Sequence, residues 1–462
     1  MSADAAQVLR EYGRPEAAPD IEGRHTCGSI TDKIAGLVLE RRTGPAFWIA
    51  LGVTSALAVV FAVSLIYLLM VGTGIWGINN TEDWGFMITS YVWWIAIGNS
   101  GTFISAFLLL LRQRWRTSIN RFAEAMTIFA VAMAGLMPIM HLGRPWFFYW
   151  LAPYPDKMNL WPQWRSPLEW DFFANTTYLI LSILFWYLGL LPDLATLRDQ
   201  ARRRGQRIAY GLLALGWRGD ARHWHHYESS YRLLAGLGAP LVISVHSVVS
   251  IDFAFADLPG WHSTIFPPYF IGGALYSGIA LALTITIALR ALFGLQDFIT
   301  PRHLANLAKL MLACSFVLTY TYAAEMFTAF YSADHFEIYT AVDRLIGRYS
   351  FTYWLAIFCN VVVPQSVWFR RVRASPLALF FVTVIINVGM WDERFMIIIT
   401  SLHRSFLPSS WHTFVPTFWD WSTLIGSLGT FVLLFLLFAR FFPVISMAEL
   451  RRLNARTTGV DR

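Results

Sequence analysis

Residues 47–70 read FWIALGVTSALAVVFAVSLIYLLM and contain no charged residue. A membrane-crossing helix needs roughly 20 mostly apolar residues, so this run is long enough to span a bilayer. Nine more runs of the same kind follow, at 87–111, 122–141, 170–191, 233–255, 269–293, 304–331, 351–370, 376–400 and 418–441. Lipid offers no partner for a backbone N–H or C=O, so only helices and closed barrels cross it. The runs far exceed the length of barrel strands. The sequence therefore predicts an all-α polytopic membrane protein with about ten transmembrane helices.

Composition agrees. Of 462 residues, 56% are apolar, 16% aromatic and 14% charged. Soluble domains carry about 25% charged residues, so a soluble chain of this make-up would lack charge for its surface. The formal net charge of +7 would suit a nucleic-acid binder. In a membrane protein, basic residues have a simpler role in setting orientation, and no nucleic-acid partner is expected. Cys27, Cys314 and Cys359 lie far apart, with no CxxC, CxxCH or CxxCxxC. The chain thus offers no covalent haem site, no iron–sulfur ligand set and no metal site of its own. Residues 1–46 are polar and hold no short apolar core of a cleavable signal peptide.

Orientation follows from arginine and lysine. With the N-terminus inside, the inner segments are the N-terminal tail, the loops near 112–121, 192–232, 294–309 and 370–375, and the C-terminal tail. Together with Arg290 and Arg440, at the inner ends of the sixth and tenth runs, they hold 29 of the 36 basic residues; the outer loops hold 6, and Arg394 lies well within a span. Both termini are therefore expected in the cytoplasm. The chain divides into a cytoplasmic tail 1–46, helices one to five over 47–255, helices six to ten over 269–441, and a cytoplasmic tail 442–462. Helix starts are marked at Ser166-Pro167-Leu168-Glu169, which reads as a capping box, and at Thr300-Pro301 and Ser375-Pro376. The outer loop 142–170 is dense in Trp, Tyr and Pro and suits a docking surface for an extracytoplasmic partner. The arginines of 192–232 suit anionic lipid headgroups.

Ionisable groups inside or at the ends of spans are costly in lipid and usually line a site or a pathway. His141 closes the third run, with Arg144 just beyond. Asp171 opens the fourth. His246 and Asp252 lie in the fifth, six residues and so about 600° of rotation apart, on different faces. Glu325 lies in the seventh. Asp392, Glu393 and Arg394 lie in the ninth, where an internal Glu–Arg pair is one reading. The bland alternatives are snorkelling for His141 and Arg144, a helix-dipole role for Asp171 and a helix–helix hydrogen bond for His246. With the N-terminus inside, His141, Asp171, Asp252, Glu325 and the 392–394 cluster all fall in the outer third. That shared depth suggests a polar pocket near the outer face. A quinol headgroup entering from the bilayer would release two electrons and two protons, and a carboxylate and an imidazole could accept the protons. The electrons would need a cofactor carried by a partner.

At these residues the sequence resembles the NrfD-like, or polysulfide reductase, membrane subunits, and among them the ActC type of alternative complex III. The resemblance rests on 99–150, which contains HLGRPW at 141–146, on SVHSVVSIDFAFADLPGWHSTIFPPYFIGGALYSG at 244–278, and on INVGMWDERFMIIITSLHRSFLPSSW at 386–411. It covers about residues 30–450 and leaves the tail 1–29 outside. It implies two four-helix bundles, spans two to five and six to nine, with two peripheral helices. It implies a quinol site in the first bundle with His141 and Asp171 as the catalytic pair, and Arg144, Asp252, Glu393 and Arg394 as further quinol-binding residues. Menaquinol is the quinol it suggests. It also implies an extracytoplasmic iron–sulfur subunit, c-type cytochrome subunits, a second NrfD-like membrane subunit, and a bacterial inner-membrane location in respiratory or photosynthetic electron transport. His246, Asp252 and Glu325 are the candidates for a proton route.

Two other readings stay open at this point: a proton or ion translocator without redox chemistry, and a passive membrane anchor. A b-type haem protein would need axial histidine pairs, and His246 is the only histidine deep in a span. A secondary transporter would place its site at the midplane on broken helices, whereas the charges here are mostly off-centre.

Overall fold

The computed structural model describes residues 3–40, 44–151, 165–404 and 406–458, all of them helix, turn or loop with no strand. Ten long helices carry the architecture: α1 (Pro45–Val71), α2 (Gly85–Leu110), α3 (Asn120–His141), α4 (Pro167–Gln200), α5 (Ala221–Ala254), α6 (Phe266–Phe293), α7 (Pro301–Tyr331), α8 (Ser350–Trp368), α9 (Pro376–Leu402) and α10 (Phe418–Phe441). All but α9 are long and apolar enough to cross a membrane; among the described residues that makes nine. The ninth expected run, 376–400, is present as the 27-residue α9. It carries Asp392, Glu393 and Arg394 in succession, and all three are buried. The half of α9 that carries them, 392–401, is buried in the protein and has no need to be apolar on every face, whereas Leu377, Phe381 and Val388 of its first half are exposed.

The packing forms two bundles. In the first, α2 lies against α3 and α5, and α4 closes the group by packing on α3 and α5. In the second, α6 packs on α7 and α9, and α8 packs on α9. The bundles join where α6 meets α2 and α5 and where α9 meets α2. At that seam Gly278 of α6 faces Ser100 of α2. A Cβ on Gly278 would stand 2.3 Å from the Ser100 Cβ. The Ser100 hydroxyl donates to the Ala274 carbonyl at 2.9 Å. Helices α1 and α10 pack on each other at the margin, and α10 touches α2 and α3.

Helix ends differ in places from the sequence reading. Ser166 is the N-cap of α4 with Pro167 in its first turn, but its side chain makes no cap hydrogen bond; only its carbonyl accepts, from Glu169 N at 3.2 Å. At α9 the Ser375 hydroxyl does cap, accepting from Ala378 N at 3.3 Å. The expected inner loop 192–232 is mostly helix. α4 runs on to Gln200, a short helix covers Arg204–Leu213, and α5 starts at Ala221. Pro240 is carried inside α5. The outer loop keeps a short helical stretch, Pro145–Leu151. The rest of the proposed docking loop, 152–164, lies outside the described residues.

The inner segments share one face. Residues 3–22, most of the tail 1–29 that the resemblance leaves outside, strap across the second bundle, and the helix Cys27–Leu39 packs on the C-terminal helix, α10 and α4. Glu16 pairs with Lys309 of α7 and with Arg373, each at 2.9 Å. Asp20 pairs with Arg302 at 3.3 Å and Lys33 with Asp297 at 2.6 Å. Burial pushes the Glu16 carboxyl up, but the hydrogen bond from Lys309 and the charge of Arg373 outweigh it and hold it below the usual range. The C-terminal helix Met447–Thr458 docks on the first bundle. There Arg121 is 1% exposed and pairs with Glu124 at 3.3 Å and Asp193 of α4 at 3.2 Å. Ala448 N donates to Asp193 at 3.0 Å, and Glu449 pairs with Arg116 at 3.0 Å. The opposite face holds the α1–α2, α5–α6, α7–α8 and α9–α10 connections.

Candidate functional site

The first turns of α4 carry Asp171 inward because Pro167 starts the helix early enough to place it one turn in. Asp171 is 6% exposed. The Tyr91 hydroxyl of α2 donates to one of its oxygens, and the Asn175 amide donates to the Tyr91 oxygen at 2.8 Å. The other Asp171 oxygen is buried without a hydrogen-bond partner. The Asp252 carboxyl, from the end of α5, is its acidic neighbour. Four more buried atoms, on the outer ends of α3, α4 and α5, also lack partners among the described residues: Glu169 Oε2, Asn175 Oδ1, Asp252 Oδ1 and His141 Nδ1. His141 ends α3, the neighbour of α4, and lies parallel to the buried Trp76 ring at a centroid distance of 6.0 Å. It makes no hydrogen bond or ion pair with Asp171. Arg144 is exposed just beyond it.

Buried polar atoms are nearly always satisfied in proteins, because an unmet donor or acceptor costs roughly 1–3 kcal/mol. Five such atoms at the outer ends of α3, α4 and α5 make this the place in the first bundle best prepared for a polar ligand.

A second polar group sits on the bundle seam. Arg394 is fully buried, and none of its three side-chain nitrogens has a hydrogen-bond partner. Its nearest anion is Glu393, at 3.1 Å. Its guanidinium lies 4.4 Å from the Phe270 ring centre, a cation–π contact. Gly273 leaves the room for it, since a Cβ there would be 2.6 Å from Nη2. Glu393 turns towards α7 and α8, where it accepts from the Tyr322 hydroxyl and from the Asn360 amide, the latter at 3.4 Å. Asn360 stands in a π-helical turn, Phe358–Val362, which re-aims it off the regular α8 face. His246 is fully buried, bonded through Nδ1 to the Asn99 amide at 2.7 Å, with Nε2 unpartnered.

The structure thus brings Asp171 and Asp252 together, and Glu393 and Arg394 together. It ties Glu325 elsewhere, to Arg344 at 2.6 Å. The expected single outer pocket is resolved into separate groups. Residue-type reasoning missed Tyr91, Asn175, Asn99 and Asn360. Their signal was a neutral polar side chain inside an apolar run, as in IAIGNSG and FCNVV.

The family model described as polysulphide reductase, NrfD, matches residues 76–405, which span every group above. The chain belongs to the NrfD family. Three relatives set this NrfD-family chain beside the subunits of redox complexes. A protein of Halobacterium salinarum, provisionally named as a membrane subunit of dimethyl sulfoxide reductase, is 26% identical over 74% of this chain and 76% of its own. A selenate reductase subunit of Mesobacillus selenatarsenatis is 23% identical over 85% and 93%. The Hdr-like menaquinol oxidoreductase integral membrane subunit of Archaeoglobus fulgidus is 20% identical over 80% and 87%.

Proposed function

We propose that this chain is the quinol-oxidising membrane subunit of an electron-transfer complex of the alternative complex III type, with menaquinol as substrate. The observation that carries the reading is Asp171: buried, oriented on one oxygen by Tyr91, open on the other, and faced by Asp252. The menaquinol in the Archaeoglobus relative's name supports the substrate. A quinol headgroup entering between the outer helix ends donates one hydroxyl to the open Asp171 oxygen and the other to His141 Nδ1. Each proton passes to its acceptor as the two electrons leave, giving quinone. Asp252 then receives the proton held by Asp171 and returns it to the outer water. Arg144, at the rim, attracts the electron-rich headgroup. The electrons go to an iron–sulfur subunit docked on the outer face beside loop 142–170 and from there to c-type cytochrome subunits, with a second NrfD-like subunit in the same complex. The complex sits in a bacterial inner membrane with both termini of this chain in the cytoplasm.

The unpartnered Nε2 of His246 beside the buried Arg394 favours one addition, a proton route inward from Asp252 through His246. Glu325 is the least apt member of that route, since Arg344 holds its carboxylate.

Asp171→Asn and His141→Ala in the assembled complex test the assignment. Quinol oxidation falls roughly a hundredfold or more, the usual contribution of a positioned base, while assembly and haem content stay unchanged. Full activity in both variants overturns it.

A further inference from the structure

On the inner face, away from the quinol site, a cavity of about 690 Å³ opens between the end of α2, the start of α5 and the C-terminal helix. Six guanidiniums line it: Arg112, Arg114 and Arg116 from the α2–α3 connection, Arg232 from α5, and Arg452 and Arg456 from the C-terminal helix. Two carboxylates, Glu228 and Glu449, also line it, and both are already engaged. Glu228 pairs with Arg452 at 2.7 Å and Glu449 with Arg116 at 3.0 Å. Arg112, Arg114 and Arg456 have no acidic partner among the described residues. Arg112 holds a left-handed backbone, φ 55°, where a glycine would fit with less strain.

The cavity's position matters as much as its charge. The helix surfaces beside it are apolar and outward-facing. Leu110 and Leu111 end α2 at 45% and 53% exposure, and Leu233 and Leu237 on α5 are 64% and 52% exposed. Leucines in such positions at the end of a spanning helix lie against acyl chains, with the arginines at headgroup level. A guanidinium cluster without matching carboxylates is built for a doubly oxygenated anion, because each fork donates two parallel hydrogen bonds to it.

We propose that this cavity binds a phosphate group, either the phosphodiester of an anionic phospholipid or free inorganic phosphate. It would pin the C-terminal helix to the first bundle across a contact that otherwise brings like charges together.

The test uses the full-length chain, purified in detergent and reconstituted in nanodiscs. One disc set contains phosphatidylcholine alone, another phosphatidylcholine with phosphatidylglycerol. Native mass spectrometry of the released protein reads retained lipid. Wild type retains phosphatidylglycerol in preference to phosphatidylcholine, and Arg112→Gln/Arg114→Gln/Arg456→Gln weakens retention roughly a hundredfold, at about a fivefold loss per arginine near an anionic surface. These three side chains are exposed. The variant's unfolding temperature in phosphatidylcholine therefore serves as the folding control and stays as in wild type. If millimolar inorganic phosphate displaces the lipid, or raises the unfolding temperature in wild type and not in the variant, the ligand is free phosphate and the proposed chemistry stands. Equal retention of both lipids together with no response to phosphate, or unchanged retention in the triple variant, overturns the proposal.

Discussion

A buried charge is informative according to whether its partner is present. Arg344 and Asp171 show the two cases. Arg344 is 2% exposed and fully matched. It meets Glu325 at 2.6 Å, the Ser401 hydroxyl at 2.8 Å and the Thr400 hydroxyl at 3.2 Å. It braces the turn at Gly260, where a Cβ would lie 2.9 Å from its Nη2. Its work is structural, so Arg344→Ala strands a carboxylate and costs about 3–5 kcal/mol of stability. The expected outcome is a lower unfolding temperature in detergent, partly restored by adding Glu325→Gln, because the stranded charge is then gone. No restoration would show that the loss comes from packing instead. Asp171 is the opposite case, with one oxygen held and one open. The sequence exposed Asp171, Asp252, Glu325 and Arg394 equally well, since any charge in an apolar run stands out. It could not rank them. The ranking depends on Tyr91 and Arg344, which come from distant parts of the chain, and on carboxyl orientations that no spacing rule predicts.

At the scale of helices, the ten runs were legible because lipid demands long apolar segments, and each became a helix within a few residues at most ends. The exceptions have a common cause. α4 and α5 extend past their apolar runs, to Gln200 and back to Ala221, because helix continues wherever side chains can still pack or reach water. Hydropathy reports the bilayer, not the helix end. Pairing of helices was less legible. Small residues mark close contacts in membrane helices, yet only the structure tells which glycine serves which neighbour. Gly278 serves the seam between the bundles, and Gly429 of α10 serves the marginal pair, where a Cβ would lie 2.2 Å from the Leu57 Cβ of α1. The two sites therefore separate in their effects. Gly278→Ala pushes α6 off α2, disturbs the setting of Arg394 and His246, and lowers both unfolding temperature and quinol oxidation. Gly429→Ala loosens α1 from α10 and lowers the unfolding temperature alone. Parallel thermal and activity measurements on the two variants check this, and equal loss of activity in both would refute the separation.

The whole molecule has two differently charged faces, and the contacts within each face agree with the grouping made from basic residues. The N-terminal strap pairs with Lys309, Arg302 and Arg373, and the C-terminal helix pairs with Arg116, so segments from all along the chain meet on one side. A fold alone does not say which side faces the cytoplasm; that depends on the excess of arginine and lysine, which is retained inside during insertion. One natural residue can report it. Cys27 is exposed and opens the helix Cys27–Leu39 on the strapped face, whereas Cys314 and Cys359 are buried. A membrane-impermeant maleimide should therefore modify the wild-type chain at a single position, and only when the inner face is presented. In sealed inverted vesicles the expected result is labelling at Cys27. In right-side-out vesicles it is no labelling until the membrane is opened, with Cys27→Ser silent in both. Labelling of Cys27 in intact right-side-out vesicles would reverse the orientation, and it would move the Asp171–Asp252 pair to the cytoplasmic side. The iron–sulfur partner and the release of quinol protons would then have to be placed on that side as well.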